Sequence, residues 1–104
     1  MQKGDIWWAD LPYPISRRPV VLLSRNEAYQ VRNAVTVAEV ISTIKDIPVE
    51  VLLGPEDGLP KKCAINLDTI ITIRKNLLKE KITHLSSNKI SEMDKAIKFA
   101  LDLE

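Results

Sequence analysis

Most of the chain carries the hydrophobic pattern of short β-strands. An aromatic segment over residues 4–10 precedes a proline-rich loop, and the unbroken apolar run over 20–24 predicts a central strand buried on both faces. The β-branched series over 35–44 predicts the longest strand. Further short strands are predicted at 49–53, 63–66 and 72–75. Short strands at this spacing indicate a small barrel or sandwich.

The period of the pattern changes at the C-terminus. From Ser86 onward the apolar positions recur at steps of three and four residues, at Ile90, Met93, Ile97, Ala100 and Leu101. This spacing predicts an amphipathic helix, with Ser87 or Asn88 as its N-cap, because a short side-chain oxygen can accept from a free N–H of the first turn. The whole pattern predicts a mainly β chain with helices (α+β), in one domain over residues 1–104.

Composition and charge narrow the classes of function. With 45% apolar and 28% charged residues, the 104-residue chain is typical of globular domains and unlike disordered chains. The net charge is +1, so any contact with a polyanion has to be local. No apolar run reaches the roughly 18 residues that span a bilayer, and the first residues lack a signal-peptide pattern. The sequence therefore predicts a cytoplasmic protein with no membrane partner.

Few residues are available for metal or nucleotide chemistry. A single cysteine, Cys63, and a single histidine, His84, cannot form an internal disulfide or a zinc site made by this chain alone. His84 has no acidic neighbour in the sequence and is expected to be a half-exposed strand residue. The three glycines form neither a P-loop nor a dinucleotide-binding motif. We therefore expect no metal and no cofactor.

Two adjacent arginines are the most distinctive polar feature. Arg17 and Arg18 precede Pro19 and the predicted central strand, directly after a stiff Pro-x-Pro loop. A guanidinium offers a fixed fork of N–H donors that matches a phosphate, and it stays charged at any working pH. The same pair could equally be solvated charges at a strand end. The local sequence leaves both interpretations open.

Several segments, in their order and spacing, resemble the MazF/PemK family of toxin endoribonucleases. They are Gly4 to Leu11, Arg18 to Ser24, Val37-Ala38 with the following residues, Ile47 to Leu53, Asn66-Leu67-Asp68 followed by Thr72-Ile73, and Ile82 to Leu85 followed by the terminal helix. The resemblance covers nearly the whole chain. It implies a small SH3-like β-barrel with flanking helices, a homodimer, and a cognate antitoxin whose disordered tail blocks the RNA site.

The same resemblance implies a reaction and two of its residues. Family members cleave single-stranded RNA without a metal, by attack of a 2′-hydroxyl on the adjacent phosphorus, which leaves a 2′,3′-cyclic phosphate and a 5′-hydroxyl. The arginine of the family's Arg-Pro motif falls on Arg18, which is expected to bind the scissile phosphate and to protonate the leaving oxygen. The family's aspartate falls on Asp68, a candidate base or structural carboxylate. A turn-forming role for Asp68 is the alternative.

Two departures from the family pattern affect the site. The loop before Arg18 lacks the glutamate of many members, and Ile41 occupies the position of the catalytic threonine. Alternation along a strand places Glu39 and Thr43 on the face of Ile41 and places Ser42 on the opposite face. We therefore expect Thr43 or Ser42 to supply the missing hydroxyl and Glu39 to supply the missing carboxylate.

Four further residues are expected to contact RNA: Arg17, Trp8, Lys61 and Lys62. Trp8 could stack on a base and the two lysines could extend a phosphate track; core packing of Trp8 and a solvated lysine loop are the alternatives. Two other functions stay open. One is a catalytically weak relative that binds RNA or the antitoxin, and the other is a topoisomerase-binding toxin of related fold.

Overall fold

A computed structural model describes all 104 residues, and its six strands form one antiparallel sheet. The elements in chain order are β1 (Asp5–Asp10), β2 (Arg17–Leu22), α1 (Ala28–Val31), β3 (Ala34–Ile41), β4 (Glu50–Leu53), β5 (Cys63–Arg74), β6 (Leu78–His84) and α2 (Ser87–Ala100). The strand order is β4-β5-β3-β2-β1-β6, and the sheet curls into a half-barrel. The predicted mainly β fold with a terminal helix is confirmed.

The sheet has a hydrophobic core on each face. On one face α2 packs Met93 and Ala96 against Ile65 and its neighbours, and on the other face Tyr29 of α1 covers a smaller cluster around Val37. The central strand β2 contributes to both cores, and Val20, Val21 and Leu22 are fully buried. This confirms the prediction of a central strand buried on both faces.

Four predicted boundaries are wrong. β2 runs over Arg17–Leu22 rather than 20–24, so Arg17 and Arg18 lie in the strand and not before it. β3 ends at Ile41, and the longest strand is β5, which runs unbroken through the two short strands predicted at 63–66 and 72–75. A bulge at residues 67–69, opposite the Ala38 to Glu39 step of β3, lets β5 continue. The N-cap of α2 is Ser86, one residue before the expected position, and its Oγ accepts from the N–H of Lys89 at 3.3 Å.

The two edge strands of the sheet, β4 and β6, differ in length and in the charged residues that they expose. β4 is only four residues long. β6 is longer and exposes three successive charged residues, Lys79, Glu80 and Lys81. No helix of the chain combines the length and the apolar character needed to cross a membrane.

Candidate active site

A cavity of about 210 Å³ opens between β1, β2, the end of β3 and the loop before β5. Its lining residues are Trp8, Arg17, Arg18, Pro19, Val40, Ile41, Ser42, Leu59, Pro60, Lys61 and Cys63. The pairing of β1 with β2 sets Trp8 opposite Pro19, and this puts the ring at the same end of the sheet as the two arginines. Three cations line the cavity, and no lining residue is acidic.

Arg18 is held at the cavity wall by a carboxylate from the next strand. Val20 of β2 lies opposite Glu39 of β3, so alternation puts Arg18 on the same face as Glu39 and diagonal to it. Nη1 of Arg18 donates to Oε1 of Glu39 at 2.5 Å. The side chain of Glu39 is only 8% exposed and that of Arg18 is 36% exposed, so the guanidinium covers the carboxylate.

Glu39 keeps one oxygen free of protein partners. The bond from Arg18 to Oε1 is the only side-chain hydrogen bond that Glu39 makes. No fully buried side-chain oxygen of the protein lacks a partner, so Oε2 of Glu39 is not completely buried, although the side chain as a whole is only 8% exposed. Glu39 is not itself a lining residue: it lies behind the lining residue Arg18, to which its carboxylate is bonded, and its second oxygen is an acceptor without a protein partner.

Arg17, the residue before Arg18 in β2, packs its guanidinium over an aromatic ring. Its guanidinium carbon is 4.9 Å from the centroid of Trp8, within the range of a cation-π contact. Its Nη2 is 3.8 Å from Oε2 of Glu80 on β6, an exposed ion pair. The side chain of Trp8 is therefore half-buried between the sheet and a guanidinium plane, and its ring borders the cavity.

The structure brings some of the predicted site residues to the cavity and not others. Ser42 lines it and Thr43 does not, because both lie beyond the end of β3, where strand alternation no longer applies. Asp68 is exposed in the bulge of β5, where its N–H donates to Oδ1 of Asn66 at 2.9 Å, and it does not line the cavity. Lys61 lines the cavity.

Three residues close to Lys61 in the sequence, Lys62, Leu59 and Cys63, differ in whether they border the cavity. Lys62 faces a separate recess. Leu59 and Cys63, which sequence reasoning did not assign to the site, form part of the cavity wall, and the turn-forming stretch before them was the only signal. Burial raises the pKa of the Cys63 thiol, Asp57 raises it further, and the charge of Lys61 lowers it.

His84, expected to be a half-exposed strand residue, has an acidic partner that sequence proximity could not show. Its Nδ1 is 2.8 Å from Oδ1 of Asp5, while Trp7 Nε1 and the N–H of Gln2 donate to Oδ2 at 3.4 and 3.1 Å. Lys81 Nζ lies 3.7 Å from Oδ1. Burial by itself raises the pKa of Asp5, but the hydrogen bonds from His84, Trp7 and Gln2 and the charge of Lys81 together lower it.

This Asp5 cluster, formed by Asp5, His84, Trp7, Gln2 and Lys81, shares no residue with the cavity lining. No three or more His, Cys, Asp or Glu side chains are grouped so as to hold a metal ion. The cavity with its three cations is therefore the candidate active site.

Comparison with known proteins agrees with the fold. The model of a family described as PemK-like, MazF-like toxin of type II toxin-antitoxin system matches residues 2–101. A relative from Mycobacterium tuberculosis, named probable endoribonuclease MazF5, is 32% identical over 96% of this chain and 92% of its own length. A relative from Staphylococcus saprophyticus, named endoribonuclease MazF, is 34% identical over 99% of this chain and 92% of its own length.

Solved structures give the same result. The structure of the Mycobacterium tuberculosis toxin MazF-mt6 superposes with a TM-score of 0.89 at 28% identity, over 96% of this chain and 98% of that chain. A mycobacterial endoribonuclease solved in complex with its cognate antitoxin superposes with a TM-score of 0.90 at 25% identity, over 100% of this chain and 97% of that chain.

Proposed function

This chain belongs to the PemK-like, MazF-like toxins of type II toxin-antitoxin systems, and from that premise we propose how its cavity cleaves RNA. The family's enzymes are endoribonucleases, and this chain is one of them. The proposed activity is metal-independent cleavage of single-stranded messenger RNA in the cytoplasm at a short preferred sequence. The Arg18–Glu39 ion pair at the cavity wall is the observation that carries this proposal.

Arg18 is the residue proposed to bind the scissile phosphate. Glu39 engages only Nη1, so the remaining guanidinium donors are available to a phosphate oxygen in the cavity. Negative charge grows on the non-bridging oxygens as the 2′-oxygen attacks, and fixed donors aimed at that charge lower the barrier. The ion pair keeps the guanidinium in place before RNA arrives, so little reorganisation is needed during the reaction.

Glu39 is the proposed general base. Its Oε1 is held by Arg18, and Oε2 remains available to take the proton of the attacking 2′-hydroxyl. The bond from O2′ to phosphorus forms as the bond from phosphorus to O5′ breaks. The proton of the 2′-hydroxyl passes to Glu39. The leaving O5′ takes a proton from a water molecule rather than from Arg18, the donor that the resemblance implies, because a guanidinium keeps its proton at any working pH. The products are a 2′,3′-cyclic phosphate and a 5′-hydroxyl.

The hydroxyl of Ser42 is proposed to hydrogen-bond the departing O5′ or a phosphate oxygen. Ser42 lines the cavity next to Ile41, whose hydrocarbon side chain can neither donate nor accept a hydrogen bond. Arg17 and Trp8, stacked on each other, are proposed to bind the nucleotide beside the scissile phosphate. Asp68 lies outside the cavity lining, and the side chain that bonds the backbone in its bulge is that of Asn66, whose Oδ1 accepts from the N–H of Asp68; the Asp68 carboxylate itself makes no hydrogen bond or ion pair.

The expected protein partners of this chain are suggested by its family. A mycobacterial relative has been solved with its cognate antitoxin, and we propose that this chain likewise binds an antitoxin and forms a homodimer. Ile41 in the cavity favours a second candidate function, in which the chain binds RNA or the antitoxin and cleaves weakly.

The test uses the purified protein, a long single-stranded RNA and a metal chelator, with the product ends mapped. We expect cuts that end in a 2′,3′-cyclic phosphate, and cleavage by Arg18→Ala slower by about 10²- to 10³-fold, as for loss of a donor to a developing oxyanion. Arg25→Ala, which removes an exposed arginine outside the cavity, is the control and should cleave normally. Normal cleavage by Arg18→Ala would overturn the site, and cleavage by neither protein would select the binding function.

A further inference from the structure

The charges at the cavity give little net attraction for a phosphate until Lys61 is counted. Arg18 is paired with Glu39, and Arg17 is paired with Glu80. In both pairs the carboxylate offsets the positive charge of the guanidinium. The buried carboxylate of Glu39 therefore offsets much of the charge of Arg18, whereas the exposed Glu80, 3.8 Å away, offsets that of Arg17 only in part.

Lys61 is the cavity cation that has no carboxylate partner. It belongs to none of the six ion pairs of the protein, and no acidic residue lines the cavity with it. Burial and Asp57 raise the pKa of Cys63, whereas the charge of Lys61 lowers it, so the ammonium acts on the cavity wall itself. Lys62, the next residue, lies in a different recess.

The backbone that carries Lys61 is fixed by the three residues before it. Gly58 has a φ of +94°, and a Cβ added there would lie 2.6 Å from Oγ1 of Thr83, so only glycine fits. Leu59 is 4% exposed and is part of the main core. Pro60 has a restricted φ and lines the cavity. The loop therefore presents Lys61 to the cavity from a constrained position.

We propose that Lys61 binds the phosphate group held by Arg18 and supplies the net positive charge that draws RNA into the cavity and stabilises the transition state. This inference rests on the proposed function. Arg18 approaches the phosphate from the sheet and Lys61 approaches it from the loop. An ammonium is a point charge without a fixed fork, so it adds attraction while Arg18 determines the orientation.

The test compares Lys61→Ala, Lys61→Arg, Lys62→Ala and Lys98→Ala. Lys98 is exposed on α2 and belongs to no ion pair, so its removal changes the net charge equally without touching the cavity. Cleavage of a long single-stranded RNA gives kcat/KM, and binding of a 2′-O-methylated single-stranded RNA, which cannot be cleaved, is followed as a function of salt. Inorganic phosphate serves as a competitor.

We expect Lys61→Ala to lower kcat/KM by about 10-fold and to reduce the slope of log affinity against log salt by about 0.7, the value for one phosphate contact with a single strand. It should also weaken inhibition by inorganic phosphate. Lys61→Arg should retain most activity, Lys98→Ala should match wild type, and Lys62→Ala should lose clearly less activity than Lys61→Ala.

Two results would overturn the assignment of Lys61 if the wild-type protein cleaves RNA: equal losses of activity for Lys61→Ala and Lys62→Ala, or a wild-type salt slope for Lys61→Ala. A wild-type protein that does not cleave RNA would instead overturn the proposed function.

Discussion

Asp5 and Glu39 are the two charged side chains that the fold buries, and each pairs with a cationic side chain on a neighbouring strand, Lys81 for Asp5 and Arg18 for Glu39. Asp5 has His84, Trp7, the backbone of Gln2 and Lys81 around its two oxygens. Glu39 has one partner, Arg18, at one oxygen. The two residues have the same chemistry and similar burial, but very different numbers of partners.

The difference in the number of partners distinguishes a carboxylate with a structural role from one available for catalysis. A buried carboxylate whose acceptors are all engaged contributes to stability and has nothing left to offer a substrate. A carboxylate with a free oxygen beside a cavity costs some stability and is available for proton transfer. The number of partners around each oxygen, more than burial, therefore distinguishes the roles of Asp5 and Glu39.

Removing the structural carboxylate should have the largest effect on folding. We expect Asp5→Ala to lower the free energy of unfolding by about 3 kcal/mol, because it removes a buried ion pair and leaves two N–H donors without a partner. Denaturant unfolding measures this change. Asp94→Ala, which breaks the partly exposed pair of Asp94 with Lys3, is the control and should cost less than about 1 kcal/mol. A similar small loss for both variants would contradict the structural role of Asp5.

Neutralising Glu39 should have a large effect on RNA cleavage and a small effect on stability. We expect Glu39→Gln to slow RNA cleavage by about 100-fold, within the usual range for loss of a general base, and to change the free energy of unfolding by less than about 1 kcal/mol. The amide oxygen of the glutamine can still accept from Arg18, so folding is preserved. Cleavage rates and denaturant unfolding are measured on the same preparations.

Asp68→Asn is the informative comparison for Glu39→Gln, because Asp68 is the other carboxylate that the sequence suggests as a base. Its cleavage rate should stay within about threefold of wild type, since general-base loss would cost far more. A large loss in Asp68→Asn together with normal cleavage in Glu39→Gln would reverse the assignment.

The acid dependence of stability should show the smallest effect. The folded-state pKa of Asp5 lies below its ordinary value, so its carboxylate contributes stability that is present above about pH 4 and is lost as pH falls through the folded-state pKa. We expect the difference in unfolding free energy between wild type and Asp5→Asn to shrink as pH is lowered from 6 to 3. Denaturant unfolding at each pH measures it. A difference that stays constant across this range would contradict the pKa direction.

The sequence predicted the parts of the fold and site that depend on local pattern. The run from Val20, the period of α2 and the position of Arg18 before Pro19 are local signals, and the strands and helix lie where the signals indicate. Alternation also placed Glu39 on the face of Ile41. These predictions needed only periodicity, proline geometry and the family resemblance.

The rest depended on contacts between distant residues. Asp5 and His84 are 79 positions apart, so no sequence window contains their hydrogen bond. The bulge that makes β5 one strand is set by pairing with β3 and leaves no composition signal. Thr43 was placed by an alternation that stops at Ile41, where the strand ends. Strand ends and cross-strand neighbours are therefore where local reasoning failed.

The charged edge strand β6 has a consequence for association of the protein with itself. An open sheet exposes unpaired N–H and C=O groups at its edge, and a second strand could add there and begin aggregation. Lys79, Glu80 and Lys81 are exposed along this edge, so an added strand would have to strip water from three charges. Glu80 also pairs with Arg17, and Lys81 with Asp5. Residues that hold a cavity arginine and complete the Asp5 cluster are thus the same ones whose exposed charges disfavour edge-to-edge addition of a second strand.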